Sequence, residues 1–266
     1  MIKKNERRIP PIVYTRDYFL SDHCDGFKEF KERFGLSFNK AKALEMLRIE
    51  PETKILDIGC GRGELLYHCG QRGARLFGID YSIDAIDITK EVLKEFGNAK
   101  ILLGDCRSIP FSSNLFDRVV AIDLIEHMNY RDGLATVQEI NRVLKPGSFA
   151  LIYTSPNRIF VNIVYPIVKV IFSLWDRDAS YSLQKHMYVA DKVHIQHYDF
   201  FLFKKLSKDV GICSNVWVDR DVFRSGENRF TETIYKSLIG RSIRFLLKIF
   251  PLHLILGNDI WMKFYK

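Results

Sequence analysis

The chain reads as an α/β fold, doubly wound around a mostly parallel sheet. Three observations predict it. An apolar strand-type run ends in a glycine-rich turn, Ile55-Leu56-Asp57-Ile58-Gly59-Cys60-Gly61-Arg62-Gly63, and a helical pattern begins at Glu64. Short apolar strands then alternate with helical stretches as far as Thr154, the pattern of parallel strands joined by crossover helices. An acid stands at the end of each of the first four strands: Asp57, Asp80, Asp105 and Asp123.

Taken in order, Asn39–Ile49 predicts a helix packed before the first strand. Strands are expected at Arg75–Ile79, Ile101–Leu103, Phe116–Ile122 and Phe149–Thr154, with a helix over Leu134–Leu144 closed by Lys145-Pro146-Gly147. Further on, Tyr198-x-x-Phe201-Leu202-x-x-x-Leu206 has helical spacing within His194–Asp209. Strands are expected again at Ser214–Val218 and Ile260–Tyr265, the latter opened by Gly257-Asn258-Asp259.

The glycine turn carries the first chemical inference. Glycine tolerates positive φ and lets a ligand touch backbone, and the N–H groups opening the next helix point into the same crevice. This is a nucleotide-cofactor turn. Its spacing, Gly59-x-Gly61-x-Gly63, departs from the G-x-G-x-x-G of dinucleotide sites, where a pyrophosphate sits on the helix N-terminus. The acid two residues before Gly59 would repel a phosphate and suits a ligand with an ammonium group. A hydride-transferring dehydrogenase is disfavoured on both counts.

Asp-x-Gly-x-Gly-x-Gly, together with Gly78-Ile79-Asp80-Tyr81-Ser82, Gly104-Asp105-Cys106, Asp123-Leu124-Ile125-Glu126-His127-Met128 and the Leu-Lys-Pro-Gly turn, resembles class I S-adenosylmethionine-dependent methyltransferases of the ubiquinone and menaquinone biosynthesis type. The resemblance spans residues 41–156. It implies a Rossmann-like sheet of seven strands with an antiparallel last strand, plus N-terminal and C-terminal helical additions. It implies S-adenosylmethionine as cofactor, held by Asp57, Gly59, Cys60, Gly61, Gly63, Asp80, Tyr81, Gly104, Asp105, Cys106 and Asp123. Asp80 would take the ribose hydroxyls, since one carboxylate can accept from both. Asp105 would lie beside the adenine. The division expected is an N-terminal helical cap at 1–40, the cofactor-binding core at 41–156, and substrate-side inserts with the last strands at 157–266. The aromatic cap would also exclude water during transfer.

Methyl transfer from a sulfonium is an in-line displacement with a neutral leaving group, so the protein mostly positions the acceptor. A hydroxyl acceptor gains from a general base. Asp123, Glu126 and His127, just past the fourth strand, are the catalytic candidates, with His127 the base because it titrates near neutrality. No metal ligand set is assigned. Asp123-x-x-Glu126-His127 is nevertheless similar to the Glu-x-x-Glu-His element of metal-dependent methyltransferases acting on vicinal hydroxyls. Magnesium or manganese is the ion that resemblance implies, with His186 or His194 as the further ligand.

Composition narrows the partners. The 266 residues suffice for one domain with additions, and 47% are hydrophobic. The five cysteines form no C-x-x-C pair, which speaks against a disulfide framework or a zinc site and for a reducing cytoplasm. The basic start lacks an apolar core, so no signal peptide is expected. The net charge of +8 favours anionic partners without selecting one, and no Asn/Asp-Pro-Pro-Tyr element of base methylation is present, so nucleic acid is not expected. A small-molecule substrate is expected, with a sugar or lipid-linked saccharide hydroxyl leading. A quinone- or isoprenoid-type C- or O-methyltransferase is the alternative, and a non-catalytic S-adenosylmethionine-binding protein is the alternative of another class. Residues 159–175 are almost wholly apolar but too short to span a bilayer. Within 237–250, Arg241, Arg244 and Lys248 share one helical arc opposite apolar residues. These inserts suggest peripheral contact with the inner membrane face, or a homodimer interface.

Overall fold

In a computed structural model of the chain, the structure describes residues 8–21, 24–97, 99–175, 193–219, 245–246, 248–249 and 251–266. Seven strands form one sheet: β1 Lys54–Ile58, β2 Arg75–Asp80, β3 Lys100–Leu103, β4 Phe116–Ile122, β5 Leu144–Thr154, β6 Ser214–Val218 and β7 Ile260–Tyr265. Their order is β3-β2-β1-β4-β5-β7-β6. All neighbours are parallel except the pairs that β7 makes with β5 and β6. The expected sheet, with its antiparallel last strand, is therefore present.

The central strands are apolar on both faces because helices cover both. On one face, Leu44 and Leu47 of α3 (Phe38–Leu47), Leu65 and Leu66 of α4 (Glu64–Gln71) and Ile86 and Ile88 of α5 (Ile83–Val92) pack on Ile55 and Leu76. On the other, Val137 and Ile140 of α6 (Tyr130–Val143) and Phe203 and Leu206 of α8 (Phe200–Val210) pack on Val119, Ile152 and Met262. Strand order reverses between β1 and β4. At such a switch point the loops leaving the two strands diverge, and a crevice opens outside their carboxyl ends.

Four elements differ from expectation. Strand β5 begins at Leu144 rather than Phe149 and takes in the expected Lys145-Pro146-Gly147 turn. Helix α6 begins four residues early, because the Asn129 side chain accepts from Asp132 N at 2.9 Å and caps the helix there. Helix α8 begins only at Phe200, capped by Asp199 accepting from Leu202 N at 2.7 Å, with Gly211 left-handed at its end. Residues 194–199 are not helical, since Ile195 N and Gln196 N bond the Glu126 carbonyl at 2.8 and 3.1 Å. Among the described residues before β1, the segment expected as a cap holds a 3₁₀ turn, Pro11–Val13, and the short helices α1 (Arg16–Phe19) and α2 (Phe27–Lys31), and its Tyr14 and Phe19 pack in the core.

Within 159–175 a π-helical stretch, Phe160–Val164, leads into α7 (Tyr165–Trp175). A last short helix, α9, covers Leu252–Leu256. No described helix is long and apolar enough to cross a membrane. Arg241 and Arg244 lie outside the described residues, so the expected basic arc over 237–250 does too.

Candidate active site

The loop after β1 folds as it does because of its glycines. Gly59 and Gly63 have φ of 72° and 77°, where a side chain is strained. A Cβ on Gly63 would also stand 2.8 Å from Thr89 Cγ2, so its glycine allows α4 and α5 to approach. The turn delivers the chain into α4 with its backbone facing the crevice.

Gly59, Gly61, Asp80, Tyr81, Gly104, Asp105, Cys106, Asp123, Glu126 and His127 all line one cleft of about 920 Å³. Ten of the sequence-assigned positions are thus brought together at the switch point. Asp57, Cys60 and Gly63 do not line it. Cys60 turns its buried thiol towards Thr89 Oγ1, at 3.7 Å. Asp57 is buried behind the loop. Burial above all, opposed by Lys40 and aided by Glu64 and Asp80, lifts its carboxyl to about 7.

Asp80 closes β2. Its Oδ2 accepts from Gly61 N at 3.1 Å and its Oδ1 from Ser82 N at 2.9 Å. Burial raises its carboxyl above the usual range even though these N–H groups favour the ionised form. The contacts fix the carboxylate plane, and each oxygen keeps a lone pair for a hydroxyl. Asp105 meets Arg107 in a bidentate pair, with Arg107 Nε 2.9 Å from Oδ1 and 3.0 Å from Oδ2. That pairing, first among several causes, holds Asp105 below the ordinary carboxylate range. Arg107 also reaches Asp132, which Arg8 pairs at 2.9 Å, so this end of the cleft is braced by alternating charges.

Past β4 the chain bends at Asp123, whose φ is 51°, into a 3₁₀ turn over Ile125–His127. Glu126 is 1% exposed and its Oε2 accepts from Thr154 Oγ1 at 2.8 Å. Asp123 and Glu126 both sit above the usual carboxylate range, from burial first and their nearby like charges second. His127 Nδ1 lies 3.1 Å from the Val193 carbonyl oxygen and 3.1 Å from the Tyr14 hydroxyl. A carbonyl only accepts, so Nδ1 carries the proton and Nε2 keeps a lone pair. Burial lowers the His127 pKa, opposed by the Val193 and Asp123 carbonyls, so the ring is neutral near pH 7.

Sequence reasoning missed several wall residues. Arg62 occupies a variable position of the glycine motif, yet it is 1% exposed. Its guanidinium donates to the Phe19 carbonyl at 2.9 Å and to Glu64 Oε1 at 2.8 Å, and also reaches the Asp25 carbonyl. Lys40 pairs with the same Glu64 oxygen at 2.6 Å. Tyr14, Tyr18 and Phe19 reach the cleft from the N-terminal cap, where only their abundance was a signal. Ser82 Oγ donates to the Tyr14 carbonyl at 2.6 Å and anchors that strand of chain over the site. His186 lies outside the described residues, whereas His194 lines the cleft.

A family model described as a methyltransferase domain matches residues 55–147. Demethylmenaquinone methyltransferase of Staphylococcus saprophyticus is 28% identical over 149 residues, which cover 50% of this chain and 62% of that protein. Sterol 4-C-methyltransferase strm-1 of Caenorhabditis elegans is 32% identical over 112 residues, covering 41% of this chain and 33% of that one. The matches thus span less than two thirds and about one third of these relatives' lengths. Among solved structures, phosphoethanolamine N-methyltransferase 2 of Haemonchus contortus, in complex with S-adenosyl-L-methionine, superposes with a TM-score of 0.59 at 19% identity. It covers 94% of this chain and 59% of that one. Residues 55–147 match a model of a methyltransferase domain, and the sheet has the Rossmann-like fold of the solved methyltransferase structure on which it superposes.

Proposed function

We propose that this chain, whose residues 55–147 carry a methyltransferase domain, binds S-adenosylmethionine and moves its methyl group to an oxygen of a small molecule. One observation carries this reading. The glycine turn, Asp80 and Asp105 open into the same cleft as Glu126 and His127. The amino-acid end of the cofactor would lie along Gly59–Gly61, the ribose on Asp80 and the adenine by Asp105. The methyl group would then point past β4 towards Asp123, Glu126 and His127. His127, neutral and with its Nε2 lone pair available, can receive a hydroxyl proton as the oxygen attacks the methyl carbon and the thioether leaves. An amine acceptor would need no such neighbour.

The acceptor class follows from the walls and the surface. Tyr14, Tyr18, Phe19, Phe27 and Phe38 line the cap side of the cleft, which suits an acceptor with an apolar body. Helix α7 and the turn before it expose Ile163, Ile167 and Val170. An amphiphile drawn from a lipid phase fits both, as a quinone or isoprenoid acceptor or as a lipid-linked saccharide. The two curated relatives, named for demethylmenaquinone and for carbon 4 of sterols, support the quinone or isoprenoid body of the acceptor and not its oxygen. Peripheral contact with a membrane from the cytoplasmic side is part of the same reading.

Labelled methyl from S-adenosylmethionine, offered with fractionated extract, tests it. Label should enter the lipid fraction as an alkali-stable ether. His127→Ala should lower turnover by a factor of roughly a hundred while cofactor affinity holds. Label appearing only in protein or nucleic acid, or unchanged turnover in His127→Ala, would remove the oxygen-acceptor reading.

A further inference from the structure

We infer that Asp259, oriented by Tyr153 and Asn39, binds a second hydroxyl group of the methyl acceptor on the β5–β7 side of the cleft. The inference deepens the methyl-transfer reading and rests on it. All three residues line the cleft, and none stands among the positions assigned to the cofactor. Topology places them. The glycine turn, Asp80 and Asp105 follow β1, β2 and β3, which lie on one side of β4, whereas β5 and β7 lie on the other. Strand β7 runs antiparallel to β5, so it starts where its parallel neighbours end: Thr154 pairs with Ile260. The reversal thus brings Asp259, one residue before Ile260, to the mouth of the cleft.

The loop that carries Asp259 is pinned. Asn157, fully buried, donates through Nδ2 to the Leu254 and Gly257 carbonyls at 3.0 and 2.8 Å. Its backbone N–H donates to the Asn258 carbonyl at 2.9 Å, and Asp219 N donates to the Asp259 carbonyl at 2.8 Å. A Cβ on Gly257 would stand 2.3 Å from Val218 Cγ1 and 2.6 Å from the His253 carbonyl oxygen, so glycine lets the loop lie this close. On this base, Tyr153 Oη donates to Asp259 Oδ1 at 2.9 Å, and Asn39 Nδ2 donates to Tyr153 Oη. Burial first, then Asp259 and Asp123, keeps the phenol protonated, so its hydrogen stays committed to the carboxylate. Ser37, at the start of α3 two residues before Asn39, lines the same cleft with its Oγ buried and unpartnered. A ligand hydroxyl would satisfy such an atom.

The chemistry of these groups selects the ligand. A carboxylate only accepts, and each oxygen has room for more than one donor, so Asp259 can take a hydroxyl besides that of Tyr153. After burial, Asp25 and Asp259 help lift the Asp123 carboxyl to about 8, so both lie close to it. Lys40, which opposes them, is paired with Glu64 at 2.6 Å. An anionic head would meet like charge here although the chain as a whole carries +8. A hydroxyl meets no such penalty. With the reacting oxygen at His127 and a second hydroxyl on Asp259, the acceptor's head is held at two points across β4 and β5, which fixes its angle of attack. The site then prefers a dihydroxylated head to a monohydroxylated one.

The complex of the full-length chain with S-adenosylhomocysteine, the product of transfer, keeps the cofactor end filled. It is titrated with phenol, the three benzenediols, the three hydroxybenzoates and the three hydroxybenzylamines, and dissociation constants are read from chemical-shift changes of the labelled protein. One benzenediol should bind roughly tenfold tighter than phenol, as for a hydrogen bond to a charged group, and each hydroxybenzoate no tighter than phenol. In Asp259→Ala the diol's advantage should vanish, and in Tyr153→Phe it should shrink, while calorimetry shows unchanged S-adenosylhomocysteine affinity in both. Circular dichroism melts report folding; if Asp259→Ala is not folded, Asp259→Asn decides by the same loss of selectivity. Equal affinity for phenol and all three diols in wild type overturns the subsite, as does an advantage kept in Asp259→Ala. A hydroxybenzylamine preferred to every diol would make it a cation site instead, and a fall in S-adenosylhomocysteine affinity in Asp259→Ala would place Asp259 at the cofactor end; either overturns the inference. These failures leave the methyl-transfer reading standing, because label transfer into extract is measured separately. Wild type that does not bind S-adenosylhomocysteine removes both.

Discussion

Asp80 and Asp57 stand 23 residues apart in sequence and both close or nearly close a strand, yet they do different work. Asp80 faces the cleft with its plane fixed by Gly61 N and Ser82 N. Replacing it by alanine leaves those N–H groups unsatisfied and would remove the acceptor proposed for the two ribose hydroxyls. Calorimetry should show S-adenosylmethionine affinity falling by about 2–4 kcal/mol, and wild-type affinity in Asp80→Ala would refute the ribose assignment. Asp57 acts on stability instead. Its carboxyl titrates near 7 in the folded chain and near 4 unfolded, so between those values the folded chain holds the extra proton. Stability then falls as pH rises through that window. The stability difference between wild type and Asp57→Asn should shift against wild type by at most about 4 kcal/mol from pH 4 to pH 8. Denaturant curves whose separation is the same at both ends would exclude this. Glu64 works in the opposite sense. Lys40 and Arg62 overcome its burial and hold it at about 2, so its contribution is full above about pH 4.5 and fades below it.

At the scale of elements, legibility depended on whether a signal was periodic or singular. All seven strands were readable, because apolar runs bounded by glycine or acid recur for each, and the last strand's reversal came with the family resemblance. The stretch His194–Asp209 read as one helix because Tyr198, Phe201, Leu202 and Leu206 keep helical spacing. Tertiary hydrogen bonds to Glu126 win over that spacing for residues 194–199. The glycine turn, Asp80 and Asp105 could be found because motif spacing encodes them. Arg62 could not, since nothing in one sequence marks an arginine that will be buried. It ties the N-terminal cap to the glycine turn by donating to carbonyls of residues 19 and 25 while pairing with Glu64. Arg62→Met would leave Glu64 with Lys40 alone and the cap without its anchor. Breaking a buried pair of this kind costs about 3–5 kcal/mol. Hydrogen exchange over residues 14–31 should quicken well beyond that of the sheet, and cofactor binding should weaken. Uniform quickening across β1, β4 and β5 would instead mean that Arg62 supports the whole core rather than the cap.

For the molecule as a whole, the open question is which surface meets the acceptor's source. Ile163, Ile167 and Val170 are 53, 58 and 59% exposed and spaced by four and three residues, so they share one helical face. The chain carries a net charge of +8. An interfacial element gains from burial of apolar side chains, about 1.5–3 kcal/mol for each aliphatic residue fully buried, and from attraction of basic residues to acidic headgroups. Vesicles containing anionic lipid should therefore sediment the protein, neutral vesicles less so, and salt should weaken the effect by screening. The two contributions separate by mutation. Ile163→Glu, Ile167→Glu and Val170→Glu together should reduce vesicle binding by well over tenfold, since even partial loss of three apolar contacts exceeds the roughly 1.4 kcal/mol that a factor of ten requires. The exposed positions make the variant's melting temperature close to wild type, so release from vesicles would not be unfolding. If wild-type protein stays in the supernatant at low salt and sediments in the ultracentrifuge as a dimer that the triple variant dissociates, the face is a subunit contact. The acceptor would then be sought among soluble molecules, and the lipid-phase amphiphile would no longer be the leading substrate class.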